Sequence, residues 1–302
     1  MSTNKNIISI DITPEYTITA IYNKQKNISN FIKIEGNEFI KTIVAFEDKN
    51  ALIGNEAENK QNNYNDFIQH LLTNPNERKI YPIEFLGTTL EMNDLCLLYF
   101  YFNEIFTLAK EKGEIGEIII SLPEDCNEKE VIQLYLYDTF KRIGCNNISF
   151  VSRPLEYLSF MSIMDNKKKT NENYIIVETD KNTKTIITGF INGTDQRIIE
   201  LKEVKQFTNN NNQMEIETYI NKIKSKLKKG NIILIKKYEE KITMTFVKPE
   251  EKEVWSFRAI KNPKAICAVS GCSIVKSKMK AWNKSRKLIQ IYSPERTKEI
   301  MS

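Results

Sequence analysis

Ile8, Ile10 and Ile12 alternate with Ser9 and Asp11, and the alternation resumes from Thr17 to Tyr22 beyond Thr13-Pro14-Glu15. A period of two on both sides of a proline-containing turn predicts a β-hairpin. A third strand is expected near 31–34, and Ile43-Val44-Ala45-Phe46 and Leu52-Ile53-Gly54 form a short pair around an Asp48-Lys49-Asn50 turn. Phe67, Ile68, Leu71 and Leu72 have helical spacing, as does 94–110, where Tyr99, Phe100, Tyr101, Phe102 and Phe106 are expected to fill a helix-to-sheet core. Glu117 through Leu122 is an apolar strand closed by Pro123. Asn127 as N-cap and Glu130 at the third helical position predict a helix that ends at Gly144. A strand over 148–151 and a helix over 155–163 complete the first half.

Lys167-Lys168-Lys169-Thr170-Asn171-Glu172-Asn173 is a polar break. Beyond it the order restarts: strands over 174–177, 185–191 and 198–207, a helix over 215–229, then strands over 232–235, 242–247, 254–258 and 265–269, a helix over 275–282 and a strand over 288–292. Each half opens on a three-strand meander and adds strand and helix units later. This predicts a duplicated α/β architecture with parallel strands at the crossovers, divided into lobes 1–165 and 166–302.

Composition narrows the class. With 302 residues, 41% hydrophobic, 8 prolines and 10 glycines, the chain has material for about two domains and none of the bias of a fibrous or low-complexity protein. The longest apolar run, 95–102, is far short of the ~20 residues that span a bilayer, and 1–7 does not read as a signal peptide. Five cysteines, Cys96, Cys126, Cys145, Cys267 and Cys272, without CxxC spacing point to neither a disulfide framework nor a zinc site, so a reducing cytoplasm is the expected location. His70 is the one histidine; it lies in a helical pattern with no nucleophile motif beside it, which favours a structural role.

The net charge of +5 conceals an asymmetry: 15 Lys/Arg stand against 24 Asp/Glu up to Asp165, and 29 against 15 after it, so the halves carry −9 and +14. This split suits either lobes that attract one another or a second lobe that meets a polyanion. The densest basic stretches hold Lys222, Lys226 and Lys229, then Lys276, Lys280, Lys284 and Arg286 with Trp282 interleaved. They are either solvated helix faces or a contact for RNA.

Glu35-Gly36-Asn37-Glu38-Phe39-Ile40-Lys41-Thr42-Ile43-Val44-Ala45-Phe46, followed by Leu52-Ile53-Gly54-Asn55-Glu56-Ala57, resembles a segment of the ATPase domain of the heat-shock protein 70, or DnaK-type, chaperones. Further likenesses fall in the same order: Ile8-Ser9-Ile10-Asp11 at the family's first phosphate loop, Ile120-Ser121-Leu122-Pro123 with Asn127 at its VPAxFN segment, Ser152-Arg153-Pro154 at NEP, Val269-Ser270-Gly271-Cys272-Ser273 at VGGST, and Ser293-Pro294-Glu295 at the end of the ATPase domain. The resemblance implies an actin-like ATPase fold of two ribonuclease-H-like lobes without a substrate-binding domain. The second lobe is expected to be truncated, because only positions 184–269 separate Thr183 from Ser270, where family members carry a longer insert.

The departures decide the expected chemistry. The family's DxGTT falls on Asp11-Ile12-Thr13-Pro14-Glu15, which replaces a glycine, removes an N–H and sets a carboxylate where a phosphate would sit. Its DxGGGT falls on Glu178 to Thr183 with no glycine left; its lysine falls on Glu58, with Lys60 two residues out of register, and the acid of NEP is Arg153. Phosphoryl transfer depends on positioned charge and metal, so ATP hydrolysis is expected to be absent and no cofactor is expected. A vestigial nucleotide cleft would consist of Asp11, Thr13, Glu178, Thr183, Ser270, Gly271 and Ser273, with Asp11 either capping the hairpin or keeping a relic of a metal contact. The expected role is an inactive co-chaperone or scaffold, paired as the resemblance implies with a J-domain protein and placed at the ribosome, with no membrane or DNA contact. The rival expectation is a divergent ATPase chaperone, or a small-molecule kinase of the same superfamily, using Asp11, Thr13 and Glu178 around magnesium with ATP; a filament-forming actin-like protein is a third.

Overall fold

A computed structural model of the chain describes residues 5–23, 28–48, 50–85, 87–123, 126–152, 172–179, 183–192, 198–208, 213–226, 232–238, 241–247, 255–256 and 289–290. The protein is a mixed α/β structure whose elements divide into two compact units.

In the first unit, β1 (Asn6–Ile12) and β2 (Tyr16–Asn23) form the expected hairpin, extended by β3 (Ile28–Phe31) and, on the same strand, by β4 (Phe39–Lys41). Between β4 and the long helix α3 (Asp94–Lys110) lie β5 (Val44–Glu47), β6 (Asn50–Ile53), the single turn α1 (Asn55–Glu58), β7 (Asn63–Tyr64), α2 (Phe67–Thr73) and the hairpin β8 (Ile80–Phe85) and β9 (Thr88–Asn93). After α3, β10 (Ile115–Leu122) pairs parallel to β1; after α4 (Lys129–Ile143), β11 (Ile148–Ser152) pairs parallel to β10. The path across the main sheet is therefore β3-β2-β1-β10-β11, and β18 (Ile289–Gln290) closes it antiparallel to β11.

Alternation along β1 explains the core. Ile8, Ile10, Ile12, Ile118, Ile120 and Leu122 share one face of the sheet and pack with Tyr101, Phe102 and Phe106 of α3 and Phe140 of α4, all buried. The Phe102 and Phe140 rings lie 4.9 Å apart. The Tyr101 hydroxyl, deep in this core, bonds the Thr17 hydroxyl at 2.8 Å and donates to the Ile40 carbonyl at 3.0 Å. Burial pushes its pKa far above that of an ordinary tyrosine.

The second unit repeats the opening. Strands β12 (Glu172–Thr179), β13 (Thr183–Asn192) and β14 (Ile198–Thr208) form an antiparallel meander, and α5 (Gln213–Lys226) crosses over to β15 (Ile232–Tyr238), which pairs parallel to β12. From β15 onward the two units differ: β16 (Lys241–Val247) returns antiparallel to β15 and is joined by β17 (Trp255–Ser256), giving the order β14-β13-β12-β15-β16-β17. Among the described residues no helix is long and apolar enough to cross a membrane.

Three local expectations change. Glu172 and Asn173, which the sequence pattern assigns to the polar break, pair with Ile191 and Phe190. The β8–β9 hairpin has no counterpart in the sequence pattern, because Pro82 sits inside β8 and β9 lacks alternation. Asn127 does not cap α4: its amide donates to the Thr73 carbonyl at 2.9 Å and its N–H to the Leu72 carbonyl at 3.2 Å, closing the end of α2, while Glu128 precedes the helix with φ +42 and no side-chain cap. The Gly144 stop is as expected, with φ +102 and Cys145 N–H donating to the Phe140 carbonyl at 2.9 Å. The predicted helices over 155–163 and 275–282 and the strand over 265–269 lie outside the described residues.

Candidate functional site

A turn that binds phosphate must point free N–H groups outward. At the tip of the β1–β2 hairpin the Thr13 and Tyr16 N–H groups are spent within the turn. Thr13 is buried; its hydroxyl donates to the Tyr16 carbonyl at 2.7 Å and accepts from the Tyr16 N–H at 3.1 Å. The Thr13 N–H donates to the same carbonyl at 3.0 Å. Pro14 has no N–H, and its carbonyl accepts from the Thr42 hydroxyl at 2.5 Å, while the Glu15 carbonyl accepts from the Thr42 N–H at 3.0 Å. Thr42, directly after β4, thus staples the tip, and the exposed Glu15 adds a negative charge there. This donor set does not fit a triphosphate.

The cation nearest the tip by register is Lys41, opposite Tyr16 in the β2–β4 pairing, and it forms an ion pair with Glu58. Lys60 is held by Glu47 at 2.6 Å. Gly54 opens α1 at φ +68, a left-handed conformation that favours glycine, and its N–H donates to the Ile43 carbonyl at 3.1 Å. Glu58, at the end of α1, places a carboxylate beside this turn, where it holds Lys41.

Asp11 is buried in β1, paired with Ser121 of β10 and Ile18 of β2. By alternation Ser9, Asp11 and Ser121 occupy the sheet face opposite the Ile8, Ile10 and Ile12 core. The hydroxyls of Ser9 and Ser121, and that of Thr19 on the core face, are buried without a hydrogen-bond partner among the described residues. An unpartnered buried hydroxyl costs on the order of 1–3 kcal/mol. Thr19→Val, which deletes one such group and keeps the shape, is expected to raise stability by about 1 kcal/mol in urea unfolding; a loss of similar size would mean that the hydroxyl has a partner.

His70 belongs to a cluster that the sequence did not reveal. Its Nδ1 lies 2.9 Å from Oδ2 of the fully buried Asp94 at the start of α3, and Oδ1 of Asp94 accepts from the Leu95 N–H at 2.9 Å. Arg78 approaches the same carboxylate at 3.7 Å and lies 4.4 Å above the Tyr135 ring of α4. Beside them Tyr81 donates to Asp66 Oδ1 at 2.8 Å, and Lys79 pairs with Asp66. Burial alone would raise the Asp66 carboxyl, but the bonds from Lys79 and Tyr81 outweigh it and hold it below the usual carboxylate range; burial and Asp66 together push the Tyr81 hydroxyl far up. The cluster ties α2, α3, α4 and the β8–β9 hairpin together.

In the second unit Glu178 lies near the end of β12 and Thr183 opens β13, a pair of strands that corresponds in order to β1 and β2; Glu178 pairs with Thr185 and with Lys237 of β15, and Thr183 with Thr208. Lys222 and Lys226 are exposed on α5. Ser270, Gly271, Ser273, Lys229, Lys276, Lys280, Lys284 and Arg286 lie outside the described residues, as do Asp180 and Arg153. Among the described residues Cys96, Cys126 and Cys145 form no disulfide. No protein-family model matches the chain, and no curated protein matches it.

Proposed function

We propose that this chain is a catalytically inactive heat-shock-70-like protein with an actin-like fold of two ribonuclease-H-like lobes, the second shortened, acting in the cytoplasm as a co-chaperone or scaffold. The fold part of the reading is supported by the path β3-β2-β1-β10-β11, a meander followed by two parallel crossovers, and by its partial repeat as β14-β13-β12-β15. The antiparallel β16, on the edge of β15 where a further parallel strand would continue the repeat, is consistent with a shortened second lobe. The single observation that carries the functional part is the closed hairpin tip, in which Thr13 and Tyr16 N–H groups are spent and Pro14 offers none.

The resemblance supplies the expected partner class, a J-domain protein, and the basic second half supplies a reason for ribosome contact through RNA. The test is phosphate release from magnesium-ATP by the whole chain, alone and with a J-domain protein, alongside sedimentation with ribosomes across a salt series. The expected result is no turnover above buffer and co-sedimentation that weakens steeply with salt. Turnover that Asp11→Ala abolishes would replace this reading with a divergent ATPase, and absence of co-sedimentation at low salt would remove the ribosome.

A further inference from the structure

One groove of the second unit belongs neither to the hairpin tips nor to the His70 cluster. It lies between β14 and α5, is open to solvent and has a volume of about 610 Å³, within the range that holds a small-molecule-sized group. One side is aromatic: the buried Phe207 meets Tyr219 edge to face with centroids 5.5 Å apart, and the Lys205 ammonium sits 4.3 Å from the Tyr219 centroid and 5.1 Å from that of Phe207. On the helix, Met214, Thr218 and Lys222 recur every four residues and so line one edge. Met214 is 71% exposed and sets a thioether at the mouth of the groove. Lys222 and, one turn on, Lys226 continue the row toward the end of the helix. Among the described residues of the lining, Glu215 alone is acidic.

We infer that this groove binds a segment of single-stranded nucleic acid, with a base against Met214 and Tyr219 and its phosphates on Lys205, Lys222 and Lys226. Lysines alone would attract any anion. The combination with an aromatic and thioether wall matches the chemistry of a base, which presents an apolar face beside a charged backbone. A duplex stacks its bases inward and offers this wall nothing. Charge selects a polyanion over an acidic peptide: the 29 Lys/Arg against 15 Asp/Glu of the second half gain most from a ligand that releases many counterions. The inference deepens the RNA-contact part of the proposed function and rests on it; it does not depend on whether the first unit binds nucleotide.

The test is fluorescence anisotropy of the full chain with a labelled oligouridylate of about twelve nucleotides, within the usual site size, across a salt series. Tyr219→Leu, which keeps the apolar packing and removes the ring, is expected to weaken binding about tenfold. Lys222→Ala, at an exposed position, is expected to reduce the magnitude of the salt slope by about 0.7. Displacement by duplex RNA or polyglutamate as effective as by unlabelled oligouridylate would overturn the inference. Unchanged binding in both groove variants, with loss on Lys276→Glu and Lys280→Glu together, would overturn the groove and leave the RNA contact standing. No binding at low salt would overturn both.

Discussion

Asp94→Ala is expected to destabilise the first unit by about 3–5 kcal/mol, because removing one partner of a buried charged cluster leaves the others uncompensated. The carboxylate is fully buried, accepts from the Leu95 N–H and bonds His70, with Arg78 close by. Its loss strips the first turn of α3 of one acceptor and leaves the half-buried Arg78 without its counter-charge. Asp94→Asn keeps the size and one acceptor oxygen and is expected to cost clearly less. The measurement is denaturant unfolding followed by far-ultraviolet circular dichroism. An Ala variant within about 1 kcal/mol of the parent would show that the cluster sits in a far wetter environment than its burial implies.

Phe102→Ala is expected to cost a similar amount, about 3–5 kcal/mol, for a different reason. Phe102 is fully buried on α3 and its ring contacts Tyr101 at 5.2 Å and Phe140 at 4.9 Å between centroids. These rings lock the two crossover helices onto the same sheet face, so truncation leaves a cavity that neither helix can close without leaving the other. Pairing Phe102→Ala with Phe140→Ala in a double-mutant cycle should return a coupling of about 0.5–1.5 kcal/mol from the ring contact. Additive losses would mean that the rings pack independently.

Elements governed by local pattern were legible in the sequence. The β1–β2 hairpin, α3, β10, the Gly144 stop and the meander of the second unit come from alternation, helical spacing and glycine placement within a few residues. Features that join distant positions were not legible. Asn127 has every property of a helix cap, yet the end of α2, more than 50 positions away, offers carbonyls to both its amide and its N–H. No spacing rule anticipates that competition. The β8–β9 hairpin was hidden by Pro82 and by the exposed, non-alternating β9.

The candidate site divides along the same line. That position 13 is not glycine and that Pro14 has no N–H is plain from residue identity, while the staple from Thr42, 28 positions on from Pro14, needed the fold. Likewise the acid at position 58 is plain, and the structure adds that it holds Lys41, a cation registered beside the tip. The sequence around His70 shows that no nucleophile motif lies beside it. Its partnership with Asp94 and Arg78 depends on how α2 and α3 pack and leaves no trace in sequence spacing.

The proposal that the first hairpin no longer cradles a triphosphate is tested most directly by calorimetric titration of magnesium-ATP into the intact chain. No saturable heat is expected up to about 1 mM nucleotide, the concentration at which even a binding energy of about 4 kcal/mol would register. A micromolar dissociation constant that Asp11→Ala removes would contradict it.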